Sequence, residues 1–151
     1  MQQGGKTMRA LLMGGLLAFV GAVAHAEDGS TIYEFDGSFD DAAFGVESAI
    51  IGQGLVIDYV SHTGEMLNRT AGDVGSSTKL FEAADIFLFC SAVVSRKVME
   101  ADPMNIAHCP YGIFVAEREG KVMVGYRNYP DGPMQEVQSL LDGIAREAVG
   151  E

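Results

Sequence analysis

The side chains best suited to chemistry in this chain of 151 residues lie around a cysteine–proline step. Cys109 precedes Pro110, and His108 and Met104 come shortly before it. Thiolate, imidazole and thioether are the soft ligands that copper and haem iron prefer. A further candidate ligand, His62, lies in a glycine-flanked loop. The sequence therefore predicts a cofactor-binding site for haem or copper, its identity left open, made by four residues: Cys109, His108, His62 and Met104.

Cys90 and Cys109 are the two cysteines of the chain. In an oxidising compartment a disulfide is the first hypothesis for such a pair. If the helix between them joins parallel strands, the cysteines lie at opposite ends of the sheet, too far apart for a bridge. If the strands are antiparallel, both cysteines lie at the same end. Both topologies remain open at this point.

The N-terminal residues have the pattern of a secretory leader. Met8-Arg9 precedes an uncharged apolar run of about 15 residues, and Ala24-His25-Ala26 follows as a small-x-small cleavage site. The run is shorter than the roughly 20 residues that a membrane-spanning helix needs. We therefore expect residues 1–26 to be a cleaved signal peptide. The single mature domain, 27–151, is then periplasmic or secreted, with no stable membrane span.

The composition restricts the class of partner. Hydrophobic residues make up 48% of the chain and charged residues 21%, which is typical of a globular domain rather than a disordered one. The net charge is −11, and loss of Lys6 and Arg9 with the leader takes it to −13. So acidic a chain repels nucleic acid and anionic lipid. We expect no nucleic-acid partner.

Strand and helix patterns alternate along the mature chain. Alternation of apolar and polar residues, or a run of branched apolar residues, predicts strands over 32–35, 55–60, 85–90, 111–117 and 122–127. Helical periodicity predicts helices over 39–50, 92–101 and 133–148, the first two capped by Ser38 and Ser91. Residues 61–78 are irregular, with a short helical turn near 65–70. The sequence predicts an α+β domain of two layers, in which three main helices pack on a sheet of about five strands.

The segment after the central strand carries a family resemblance. A helix with basic residues ends in Ala101-Asp102-Pro103, and Pro110 then enters an apolar strand. With the order of elements over residues 31–148, this resembles the domain of unknown function 302 family (DUF302), of the TT1751-like fold. The resemblance implies a small α+β domain and a homodimer, and it implies no settled reaction.

This chain departs from the family pattern at two places. Ser91-Ala92 follows Cys90 where family members often have Asn-Pro. Tyr111 follows Pro110 where many members have a cysteine, and here the cysteine precedes the proline. A role tied to the family's second cysteine is therefore not carried over to this chain.

Two functions from different classes follow from these observations. The leading hypothesis is an exported, non-catalytic domain of the cell envelope that binds a small ligand. The chain lacks the Gly-x-Ser-x-Gly motif of serine hydrolases, and its few cations offer little to stabilise a reactive thiolate. The alternative is a structural or interaction module that forms a homodimer without a ligand.

Export makes the first testable prediction. Protein purified from its host should begin at Glu27, because the small-x-small site ends at Ala26. Intact-mass measurement with sequencing of the N-terminal peptide checks this. A cytoplasmic protein that retains Met1 or Met8 would contradict the prediction and remove the oxidising compartment from the cysteine argument.

Overall fold

The computed structural model describes residues 25–27 and 29–151, and within 25–27 it describes the backbone only. Its strands are β1 (His25–Glu27), β2 (Ser30–Phe35), β3 (Ile57–Ser61), β4 (Ala83–Phe89), β5 (Tyr111–Arg118) and β6 (Lys121–Arg127). Its α-helices are α1 (Phe39–Gly52), α2 (Thr63–Thr70), α3 (Ala92–Ala101) and α4 (Gln135–Val149). Short 3-10 helices cover Gly72–Val74 and Pro103–His108.

An antiparallel sheet of five strands forms one layer, and the three-residue β1 extends one edge. The strand order is β1-β2-β6-β5-β4-β3. The central hairpin turns at Glu119 and Gly120, as predicted, and both have positive φ (55° and 74°), the backbone that a tight hairpin requires. The prediction of an α+β fold with about five main strands is confirmed.

Helices α1 and α4 cover one face of the sheet. Alternate residues of β5, Tyr111, Ile113 and Val115, are fully buried on this face, where α1 and α4 pack. The opposite face carries apolar side chains that are exposed or half-buried. We call this surface the open apolar face, and its residues are Tyr59, Ile86, Leu88, Phe114 and Met123.

The helix ends follow the predicted caps in two cases. The side chain of Ser38 accepts a hydrogen bond from the Asp41 amide, and that of Ser91 accepts one from Val94. α2 is a full helix where the sequence predicts only a short turn. Its N-cap residue is His62, whose side chain makes no capping hydrogen bond, so the usual signal for a helix start is missing.

The predicted leader falls largely outside the described residues. The structure describes none of 1–24, whereas His25 and Ala26 pair with β2 as part of β1. Within the described residues, no helix combines the length and apolar character needed to span a bilayer.

A carboxylate in α4 ties that helix to the sheet. Asp142 Oδ1 accepts hydrogen bonds from the hydroxyls of Tyr33 (2.5 Å) and Tyr126 (2.6 Å), and Oδ2 accepts one from Arg146 Nε (2.9 Å). Burial alone would raise the pKa of Asp142, but these three hydrogen bonds outweigh it and lower the pKa. Both tyrosine residues are almost fully buried, and Asp142 is the charged acceptor that their two hydroxyls share.

Replacing this carboxylate tests the link. We expect Asp142→Ala to lower the free energy of unfolding at pH 7 by roughly 2–5 kcal/mol, because two buried hydroxyls lose their acceptor. The matched control is Glu47→Ala, an exposed carboxylate in α1, which should change stability little. Urea unfolding measures both.

The pH dependence gives a second readout. Because the folded pKa of Asp142 is lowered, its stabilisation is present above the ordinary aspartate pKa of about 3.9 and is lost as the pH falls through the folded value. The difference in the free energy of unfolding between wild type and Asp142→Ala should therefore become smaller in acid. If this difference in the free energy of unfolding stays constant down to low pH, the negative charge of Asp142 does not contribute to stability, which would contradict the prediction.

Candidate functional site

The pairing of β4 with β5 brings the two cysteines together. The strands are antiparallel, and Phe89 at the end of β4 pairs with Tyr111 at the start of β5. Cys90 and Cys109 lie just beyond this pair, both half-buried, with their Sγ atoms 2.7 Å apart. Of the two topologies left open by the sequence, the structure has the antiparallel one. The two sulfurs are not bonded in this structure, and a small side-chain movement would bring them to the ~2.05 Å of a disulfide.

Helix α3 and the start of β5 supply hydroxyl groups beside the sulfurs. Ser95 Oγ lies 3.0 Å from the hydroxyl of Tyr111 and 3.9 Å from Cys109 Sγ. Ser95 lies one helical turn beyond the cap Ser91, so both serines are on the side of α3 that meets this end of the sheet. Ser95 is not among the site residues that the sequence predicts. Its spacing from a predicted cap was the available signal.

The surroundings of Cys90 favour its neutral form. Burial is the largest cause, and the hydrogen bond with Cys109 adds to it, so that the pKa of Cys90 rises to about 11. At neutral pH this side chain is therefore a thiol. A protonated sulfur is a poor nucleophile, but a soft metal ion can displace the proton.

Of the other predicted ligands, His108 lies closest to the cysteine pair. It is half-buried at the end of the 3-10 helix, next to Cys109, and its ring centroid is 5.7 Å from that of Tyr129. Met104 lies in the first turn of the same 3-10 helix, and 70% of its surface is exposed. The peptide bond between Cys109 and Pro110 is cis.

His62 does not join this group. It follows β3, and its Nδ1 lies 2.9 Å from the carboxylate of Asp85, near the start of β4. Cys90 lies five residues farther along the chain, about 16 Å away at ~3.3 Å per strand residue. The sequence could not place His62 because its position depends on the register of β3 against β4. In the structure, His108 and Cys109 share a site and His62 lies elsewhere.

A separate cavity surrounds His62. Its volume is about 550 Å³, and its wall includes Glu65 and Arg69 from α2 and Glu82 and Asp85 from the neighbouring strand region. Within the described part of the chain, no three or more histidine, cysteine or acidic side chains are arranged to hold a metal ion. Any metal site made by the cysteine pair therefore has few protein ligands.

Comparison with known proteins supports the fold. The crystal structure of an uncharacterized conserved DUF302 protein from Bacillus stearothermophilus is similar, with a TM-score of 0.58 and 12% sequence identity. The likeness covers 80% of this chain and 93% of that one. At this identity the match concerns the fold alone. No curated protein sequence matches the chain.

A family model agrees with the structural match. The model described as "Domain of unknown function DUF302" matches residues 32–146, which include all or most of every main strand and nearly all of the helical layer. The resemblance drawn from the Ala101-Asp102-Pro103 segment is therefore confirmed. This chain belongs to the DUF302 family.

Proposed function

We propose that this chain is an exported, non-catalytic domain that binds a soft metal ion, copper(I), through the sulfurs of Cys90 and Cys109. The observation that carries the proposal is that the two cysteine side chains meet, with their Sγ atoms 2.7 Å apart, so that a small side-chain movement outward would let both sulfurs hold one ion. The pair is held at the end of two neighbouring strands, where the rigid sheet presents it. Thiolates are soft ligands and select copper(I) over hard cations.

Copper(I) suits these donors better than haem iron does. Haem iron takes a single protein thiolate as an axial ligand, which leaves no role for a second sulfur in contact with the first. Two adjacent sulfurs, by contrast, are a sufficient donor set for copper(I), and His108 lies beside them. The net charge of −11 adds a general attraction for cations.

Titration of the reduced protein tests the proposal. Copper(I), supplied in competition with a chelator of known affinity, should bind at one equivalent. Cys109→Ser and Cys90→Ser should each weaken binding by at least about 100-fold, because loss of a direct ligand exceeds the 10–100-fold effect of losing a supporting group. His62→Ala is the control and should keep the wild-type affinity, since His62 lies at the other end of β4. Equal curves for wild type and Cys109→Ser would overturn the proposal.

The dependence on pH adds an independent check. Because the pKa of Cys90 is raised to about 11, copper(I) must displace a proton from this sulfur throughout the neutral range. The displacement of that proton alone makes the affinity rise about tenfold per pH unit. An affinity that does not change between mildly acidic and mildly alkaline buffer would contradict binding through Cys90.

A homodimeric module without a ligand is the second candidate, and the open apolar face favours it. Leu88 and Phe114 lie on this face half-buried, and 63% of the surface of Tyr59 is exposed beside them. A cluster of apolar side chains of this kind marks an interaction surface. Under this candidate a second copy of the chain packs on the face, and the cysteine pair forms a disulfide within each subunit.

Solution mass and thiol counting separate the two candidates. The homodimer predicts twice the subunit mass by light scattering, no free thiols in the unreduced protein and a monomer for Leu88→Glu. Val93→Glu is the control, because Val93 is 78% exposed on α3, in the helical layer. A monomeric wild type, or a Leu88→Glu protein that stays dimeric, would contradict assembly through this face.

A further inference from the structure

The cavity around His62 is lined by charged side chains and lies apart from the cysteine pair. We call it the α2 cavity, and its lining residues are His62, Glu65, Asn68, Arg69, Glu82, Ala83, Ala84 and Asp85. Its volume of about 550 Å³ falls within the roughly 300–1,000 Å³ of small-molecule sites. The cavity can therefore hold a small molecule, and the charges of its wall restrict the kind of molecule.

Contacts along α2 hold this helix against the start of β4. At the beginning of the helix, His62 Nδ1 lies 2.9 Å from Asp85 Oδ1. Near its end, Asn68 Nδ2 donates a hydrogen bond to the carbonyl of Phe81 (3.2 Å). Between these contacts Gly64 packs so closely that an added Cβ would lie 2.5 Å from a backbone nitrogen of β4. The walls of the α2 cavity are thus held in place before any ligand binds.

The guanidinium of Arg69 has no ion-pair partner among residues 29–151. Glu65 lies four residues earlier in the same helix, the spacing at which Asp142 pairs with Arg146 in α4. Glu65 and Arg69 do not form such a pair, although both line the α2 cavity. Because a guanidinium presents a fork of donors that matches a carboxylate, Arg69 is available to bind one from a ligand.

Carboxylates outnumber the guanidinium in the wall of the cavity. Glu65, Glu82 and Asp85 leave a surplus of two negative charges over Arg69. A simple anion would be repelled by the carboxylates, and a simple cation would be repelled by the guanidinium. A ligand with one carboxylate and more than one cationic group matches this distribution.

The hydrogen bonds of the acidic side chains indicate where an ammonium group binds. Glu82 accepts a hydrogen bond from the Glu119 amide (2.9 Å), and Asp85 contacts His62. Glu65 forms no ion pair with the described residues, so its charge is available to the ligand. At 1.5 Å per residue, Glu65 and Arg69 are about 6 Å apart along the helix axis, which favours an elongated ligand.

We propose that the α2 cavity binds an amino acid with a cationic side chain, its carboxylate on Arg69 and an ammonium group on Glu65. The alkyl part of the ligand lies along Ala83 and Ala84, which also line the cavity. This site goes beyond copper binding and does not depend on it, because His62 lies at the other end of β4 from the cysteine pair.

Calorimetric titration of the full chain with L-lysine at low ionic strength tests the inference. Arg69→Gln and Glu65→Gln should each weaken lysine binding by about tenfold or more, the effect of losing one hydrogen bond between charged groups. Arg96→Gln is the matched control and should keep the wild-type affinity. Arg96 is an exposed arginine of α3 that pairs with Glu100 and does not line the cavity.

Two analogues of lysine test its two kinds of charge. Norleucine lacks the side-chain ammonium, and cadaverine lacks the carboxylate. Each should bind wild type at least about tenfold more weakly than lysine does. Arg69→Gln should not weaken cadaverine binding, since cadaverine has no carboxylate for Arg69 to hold.

The outcomes separate this inference from the copper proposal. No lysine binding by wild type, or equal lysine affinity for wild type and Arg69→Gln, overturns the inference and leaves copper binding intact. Norleucine or cadaverine that binds as tightly as lysine also overturns it, because the charges of the wall then do not select the ligand. Weakened lysine binding in both cavity variants, with unchanged binding in Arg96→Gln, supports it whether or not the cysteines bind copper(I).

Discussion

The antiparallel pairing of β4 with β5 is the contact on which the candidate site depends. It places Phe89 opposite Tyr111, and so the residues just beyond this pair, Cys90 and Cys109, meet at one end of the sheet. A parallel arrangement would separate them by the length of a strand. The same pairing lets α3 return over this end of the sheet, which brings Ser95 to the hydroxyl of Tyr111.

Local patterns in the sequence predict much of this fold, because they depend on neighbouring residues only. The caps Ser38 and Ser91, the hairpin at Glu119-Gly120 and the main strands all follow from short-range rules. Helix α2 was predicted only as a short turn, because His62 provides no side-chain cap. The sequence did not predict whether β4 and β5 are parallel or antiparallel, because the intervening residues permit either connection.

The candidate site was only partly predictable, since it depends on contacts between distant residues. Cys109 and His108 are neighbours in the chain, and any fold would keep them together. The partnership of Cys109 with Cys90, and the separation of both from His62, require the strand register. The burial of the Tyr129 ring depends on how the loop after β6 docks on α4, which no short-range pattern encodes.

Under the proposed function, charge and burial together would favour ion binding over thiol catalysis at this site. A catalytic cysteine needs an electropositive neighbourhood that stabilises its thiolate before any substrate arrives. Here burial raises the pKa of Cys90, and the chain as a whole is strongly acidic. The charge that a thiolate requires must then come from outside the protein. A soft cation supplies it in the act of binding, so the same environment that suppresses nucleophilicity is compatible with a metal-bound sulfur pair.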